Sequence, residues 1–133
     1  LFNTAIMQKK KGKFTMSEEI LELTKKLIDF NQLCLKYYEE ARETGITLDF
    51  NEVIKPFANE VKGLAVEWSV TMKDWLKKSP QKHIHPKQID TTLEHIEQLS
   101  IQAFFPKTSR SRFLNTNRTV EYFLVEIVKE LEK

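Results

Sequence analysis

Along most of this chain, apolar side chains recur at alternating intervals of three and four, separated by short polar stretches. That period lays a stripe along one face of an α-helix, and four such stripes predict four helices. The first runs from about Thr15 to Glu43 on Ile20, Leu23, Leu27, Phe30, Cys34, Tyr37 and Ala41. Its start has the spacing of a capping box, Thr15-Met16-Ser17-Glu18, with Ser17 as an alternative N-cap. Gly45 is a natural stop. The second begins after Asp49, where Asp49-Phe50-Asn51-Glu52 repeats the box spacing and Leu48 with Val53 has that of a hydrophobic staple. Its stripe is Phe50, Ile54, Phe57, Val61, Leu64, Trp68, Met72 and Trp75, ending near Lys78. Pro56 lies inside it, lacks a backbone donor and crowds the preceding turn, so a kink is expected there.

The third helix opens at His85-Pro86 and follows Ile89, Leu93, Ile96, Ser100 and Ala103, widened by Leu99 and Phe104, until Pro106. The fourth starts near Ser111 and carries Phe113, Asn117, Val120, Leu124, Ile127 and Leu131. Val66–Val70 alternates briefly, but it sits within a longer helical pattern, and length decides for helix. Connections of about four to eight residues favour antiparallel neighbours. The fold expected is an all-α, up-and-down antiparallel four-helix bundle over residues 16–133.

A chain of 133 residues suits one such domain without covalent staples. Three glycines and four prolines are too few for a turn-rich β fold. The single cysteine, Cys34, excludes an internal disulfide framework, and no apolar run approaches the roughly 18 residues of a membrane helix. The N-terminus runs apolar over Leu1–Met7 and then basic, the reverse of a secretory signal, so a cytoplasmic protein is expected.

The net charge of +2 hides two regions. Residues 1–15 hold Lys9, Lys10, Lys11 and Lys13 and no acid; without them, 17 basic residues face 19 acids, and the body is weakly acidic. The expectation is that Met16 is the natural start and residues 1–15 are a translated leader. Lys10-Lys11-Gly12-Lys13 requires a purine-rich codon run, AAR-AAR-GGN-AAR, placed like a ribosome-binding site before the Met16 codon. The rival is a genuine basic arm.

No catalytic or metal signature emerges. His83 and His85 fall in a connection and His95 within a helix. The residue three before His95 is Thr92, so the Glu-x-x-His of a di-iron bundle is absent, as is His-x-x-x-His. His85 is expected to cap the third helix and His83 to be solvated. No metal or cofactor is expected. Cys34 lies on an apolar stripe, where a free cysteine behaves as a small hydrophobe rather than a nucleophile. Glu18/Glu19 and Glu39/Glu40 are adjacent on helices and do not face one another as an acid–base dyad. Without a glycine-rich loop there is no phosphate cradle.

Lys107, Arg110, Arg112 and Arg118 read as the only basic cluster of the body. Cations at a helix start are mildly unfavourable, so they suggest an acidic partner surface, set against a simply solvated loop. Trp75, near a helix end, is the tryptophan better placed to reach a surface. Asn31, Thr92, Ser100 and Asn117 lie on or beside apolar stripes and would need buried partners, either lining an internal pocket or fixing helix register.

Several positions together resemble the YppE-like family of small bacterial proteins of unknown function. They are Asp49-Phe50, Ile54-Lys55-Pro56, Trp68, Pro80, His85 with Gln88-Ile89, and Arg112-Phe113. The resemblance covers about residues 16–133 and implies a four-helix bundle with no assigned activity or catalytic residues. The expected function is therefore a non-enzymatic protein–protein interaction module, meeting another protein or a second copy of itself. The alternative is a bundle that binds a small ligand, or acts as an enzyme, through an internal polar pocket. Composition argues against a membrane or nucleic-acid role for the domain; a nucleic-acid reading would have to rest on Arg110, Arg112 and the lysine arm.

Overall fold

The computed structural model describes residues 15–133. These form α1 (Met16–Thr44), a π-helical turn (Phe50–Ile54), α2 (Lys55–Lys78), α3 (Pro86–Gln102) and α4 (Arg110–Leu131), with no strand among the described residues. Of the extension expected at residues 1–15, residues 1–14 lie outside them, and Thr15 belongs to α1 as its cap.

Local chemistry sets most of the boundaries. The Thr15 hydroxyl accepts the Glu18 N–H at 3.2 Å, and the Glu18 carboxylate accepts the Thr15 N–H at 3.1 Å, which closes the expected box. The Thr15 N–H and the Thr15 hydroxyl, which donates to Glu18 Oε1 at 2.9 Å, hold the Glu18 carboxyl below its ordinary value. At the far end of α1, Gly45 takes φ 68° and its N–H reaches the Ala41 carbonyl, a left-handed stop that a side chain would oppose. Ser109 caps α4, one residue ahead of the expected start. His85 sits at the cap of α3, but the work falls to Gln88, whose side chain accepts the His85 N–H at 2.7 Å. His83 is exposed.

Pro56 perturbs its helix in an unexpected form. The turn before it is wound wider, with the Ile54 N–H reaching back five residues to the Asp49 carbonyl and the Lys55 N–H to Phe50. The α-helix proper starts at Lys55, so Pro56 falls in a first turn, where its missing N–H has no partner to lose. The Asp49 box is half made: its carboxylate accepts the Glu52 N–H at 2.7 Å, without the reciprocal bond. The wider turn also rotates Phe50 out of the stripe. Phe50 is 52% exposed, whereas Ile54 is fully buried. Leu48 and Val53 stay largely exposed rather than closing a staple.

Cross-helix pairs fix the topology. Along α1 and α4, Lys25 meets Glu132, Asn31 meets Asn117 and Glu39 meets Arg110, which is antiparallel. Between α1 and α2, Thr24 meets Trp68 and Tyr37 meets Phe57, again antiparallel. Phe57 against Phe104 and Lys73 against Asp90 run α3 antiparallel to α2. Each helix thus packs on the next, α4 closes on α1, and α1 touches α3 across the diagonal. The bundle is the up-and-down four-helix arrangement that the stripes predict.

The core follows the stripes, with one addition. Ile20, Leu27, Trp68, Met72, Ile89, Phe113, Leu124 and Ile127 are all buried. A second column on α1, Thr24, Asn31 and Tyr38, is buried as well. Tyr38, rather than the expected Tyr37, is the fully buried tyrosine, stacked on Phe113 with ring centroids 4.1 Å apart. Tyr37 instead joins Phe30, Phe57 and Phe104 in an aromatic group near the Gly45 end.

Candidate functional site

The four polar residues expected inside the bundle are buried, and Asn31, Ser100 and Asn117 are hydrogen-bonded. Asn117 donates from Nδ2 to the Asn31 carbonyl at 2.9 Å and to Asn31 Oδ1 at 3.0 Å. Asn31 donates in return to the Asn117 carbonyl and to Glu121, each at 3.0 Å, and Glu121 also accepts from Gln32. Ser100 returns its hydroxyl to Glu97 O on its own helix, and Thr92 is buried nearby on α3. Of these four, only Asn31 borders the interior gap beside Leu27, Cys34 and Val61, which is too narrow for a water molecule. Trp68 and Thr24 form another buried pair, the indole N–H reaching the Thr24 hydroxyl at 3.0 Å. No buried side-chain polar atom among the described residues lacks a partner.

Cys34 sits in the same interior, 2% exposed, and burial pushes its thiol up to about 12. A thiol that resists ionisation is a poor nucleophile at neutral pH. Among the described residues, no three His, Cys, Asp or Glu side chains converge on a point that could hold a metal ion.

The surface candidates divide between the two ends of the bundle. Lys107, Arg110, Arg112 and Arg118 are exposed along the α3–α4 connection and the start of α4. Arg110 is engaged with Glu39 at 3.3 Å. Arg42, which charge runs did not single out, belongs with them: its guanidinium reaches Tyr38 Oη and the carbonyls of Pro106 and Thr108. Trp75 is half-buried against the core at the opposite end, so it does not join the cations in one patch.

Around that cationic end lies apolar surface. Of the nine large hydrophobic side chains left exposed among the described residues, six are there: Ile46, Leu48, Phe50, Val53, Ile101 and Phe105. They come from the α1–α2 connection, the π turn and the end of α3. Sequence reasoning put Phe50 in the core and so missed this grouping.

The other end holds a second concentration of charge that the sequence reading passed over. Residues 73–87 carry five lysines, Lys73, Lys77, Lys78, Lys82 and Lys87, against one acid, Asp74. Here the α2–α3 junction encloses a groove of about 280 Å³.

Comparison with known proteins places these features in a family context. The pattern of a bacterial domain of unknown function, DUF1798, matches residues 24–131. The uncharacterized protein YppE of Bacillus subtilis is 25% identical over 118 residues, 89% of this chain and 96% of YppE. Its crystal structure has a TM-score of 0.83 to this chain at 26% identity, over 87% of this chain and 94% of that one. A protein of unknown function from Listeria innocua shares the fold with a TM-score of 0.84 at 21% identity, over 88% of this chain and 94% of the other. A DUF1798 domain from Staphylococcus aureus shares it at 0.78 and 21%, covering 85% and 96%.

Proposed function

The chain belongs to the bacterial DUF1798 family, and from that premise we propose that it is a non-enzymatic protein–protein interaction module acting in the cytoplasm. One observation carries the reading: six large apolar side chains gather exposed at one end of a bundle whose core is otherwise well filled. Apolar surface left in water is unfavourable for a monomer, and its grouping is the usual mark of a contact face. Arg112 and Lys107 beside it supply a polar rim of the kind interfaces carry. No helix of the described residues is long and apolar enough to cross a membrane. The alternative, a ligand or catalytic pocket inside the bundle, lacks comparable support. Asn31 and Asn117 satisfy one another, Ser100 bonds its own helix, and the gap beside Asn31 admits no water.

The partner is another protein or a second copy of the chain, and one variant addresses both. Ile46→Asp with Phe50→Asp changes exposed side chains and should leave the melting temperature within a few degrees. Light scattering after gel filtration, and co-purification from the native host, should show an associated species with the parent chain that disappears with the variant. Identical association by parent and variant would refute this face as the contact.

A further inference from the structure

At the opposite end of the bundle, the end of α2, the loop after it and the start of α3 enclose a groove of about 280 Å³. Leu76, Ile84, Pro80 and Pro86 line it together with Lys73 and Lys77. Leu76 and Ile84 are recessed, 7% and 4% exposed, so they form a floor rather than a protrusion. Lys78, Lys82 and Lys87 lie along the same segment, all exposed. Of these five lysines, only Lys73 has an ion partner among the described residues, Asp90. Lys77 at the recess and Lys78, Lys82 and Lys87 along the same segment therefore face water, on a domain whose remaining charge is net acidic.

We propose that this groove binds an acidic protein segment that inserts one apolar side chain between flanking carboxylates. The inference goes beyond the reading above and stands on a different surface, so either can fail alone. Charge complementarity selects the occupant. A recessed apolar floor accepts a single side chain, while lysines spread over a helix end, a loop and a helix start match several carboxylates along an extended chain. A lipid surface would ask for protruding apolar residues, and Leu76 and Ile84 are sunk. Single-stranded nucleic acid would ask for several aromatic stacking platforms or arginines in the lining, and the groove offers no arginine and a single ring, His85.

Fluorescence anisotropy with a labelled short Asp/Glu-rich peptide carrying one central leucine tests this on the full chain. The peptide should bind at low salt and weaken as salt rises. Replacing its leucine by serine should weaken binding about tenfold or more. Lys77→Glu with Lys82→Glu should do the same, roughly tenfold, with melting temperature unchanged. Amide shifts in NMR should concentrate at residues 76–87. No binding at millimolar peptide, equal binding by the charge-reversed variant, or tighter binding to random duplex or phosphatidylglycerol vesicles than to the peptide would overturn the proposal.

Discussion

Replacing Asn117 by alanine should destabilise the fold more than its size suggests, because of what it leaves behind. The side chain donates two bonds, to the Asn31 carbonyl and to Asn31 Oδ1, and is only 5% exposed. The Asn31 carbonyl sits within α1 and keeps its helical partner. Asn31 Oδ1 has no other donor among the described residues and becomes a buried, unsatisfied acceptor. Such a group costs about 1–3 kcal/mol, and the lost hydrogen bond and small void add about 1 kcal/mol, for roughly 2–4 kcal/mol in all. Asn31→Ala removes its own polar atoms and leaves Asn117 Nδ2 still bonded to the Asn31 carbonyl at 2.9 Å, so it should be the milder change. The double variant has no orphaned Oδ1. Its loss should fall short of the sum of the two single losses by about 1–2 kcal/mol. Urea denaturation followed by far-UV circular dichroism gives all three values from midpoint and slope. Additivity within about 0.5 kcal/mol, or an Asn31→Ala loss exceeding that of Asn117→Ala, would refute the account of this pair.

Burial raises the Cys34 thiol to about 12, so its contribution to stability is complete below the unfolded value near 9 and is lost as pH rises toward 12. The parent chain should lose stability more steeply over that window than Cys34→Ala, as alkaline melting curves will show, and equal slopes would contradict it. At neutral pH the folded thiol should resist Ellman's reagent and react once urea opens the bundle. Leu27→Ala and Leu124→Ala, both in the core, should each cost about 2–5 kcal/mol, whereas Glu19→Ala, half-buried and outside the core, should cost less than about 0.5 kcal/mol; equal losses would mean the helix faces are misassigned. Asp49→Ala removes the cap bond to the Glu52 N–H and should lower stability by about 1 kcal/mol, measured in the same denaturation assay.

Most of the fold was legible because it is written in local chemistry and period. The Thr15 box, the Gly45 stop and the His85-Pro86 start each mark a boundary within one turn of chain. The α4 stripe Phe113, Asn117, Val120, Leu124 and Ile127 is buried, and only its last member, Leu131, is half-buried. The misses have a common cause. Thr24 is a core position with a polar side chain, and hydropathy does not mark a residue whose burial depends on a partner some 40 positions away. At Pro56 the sequence declares a missing donor but not how the chain redistributes the strain. Here Ile54, at the end of the π turn, is buried and Phe57, in the first turn of α2, packs against Phe30, Tyr37 and Phe104, so both face inward where the wider turn meets the regular helix. A wider turn accommodates them, and Phe50, four residues before Ile54, leaves the stripe as a result.

That displacement also explains why the surface was harder to read than the core. A stripe specifies what points inward over the length of a helix and says nothing about the ends, where period gives way to connections. Both candidate surfaces lie there. The apolar end exists because the π turn puts Phe50 and Val53 outside and because the α3–α4 connection leaves Phe105 in water. The lysine groove was visible as composition, five lysines against one acid in residues 73–87, but not as a run. Its cations are divided among the last turns of α2, a loop and the first turn of α3. Only the reversal of direction between Pro80 and Pro86 brings them around one recess. The bundle core, by contrast, uses its polar groups on one another: Asn31 on Asn117, Trp68 on Thr24, Ser100 on Glu97. These interior polar groups are satisfied within the bundle, whereas exposed apolar groups and, among the described residues, cations without an ion partner remain at the two ends.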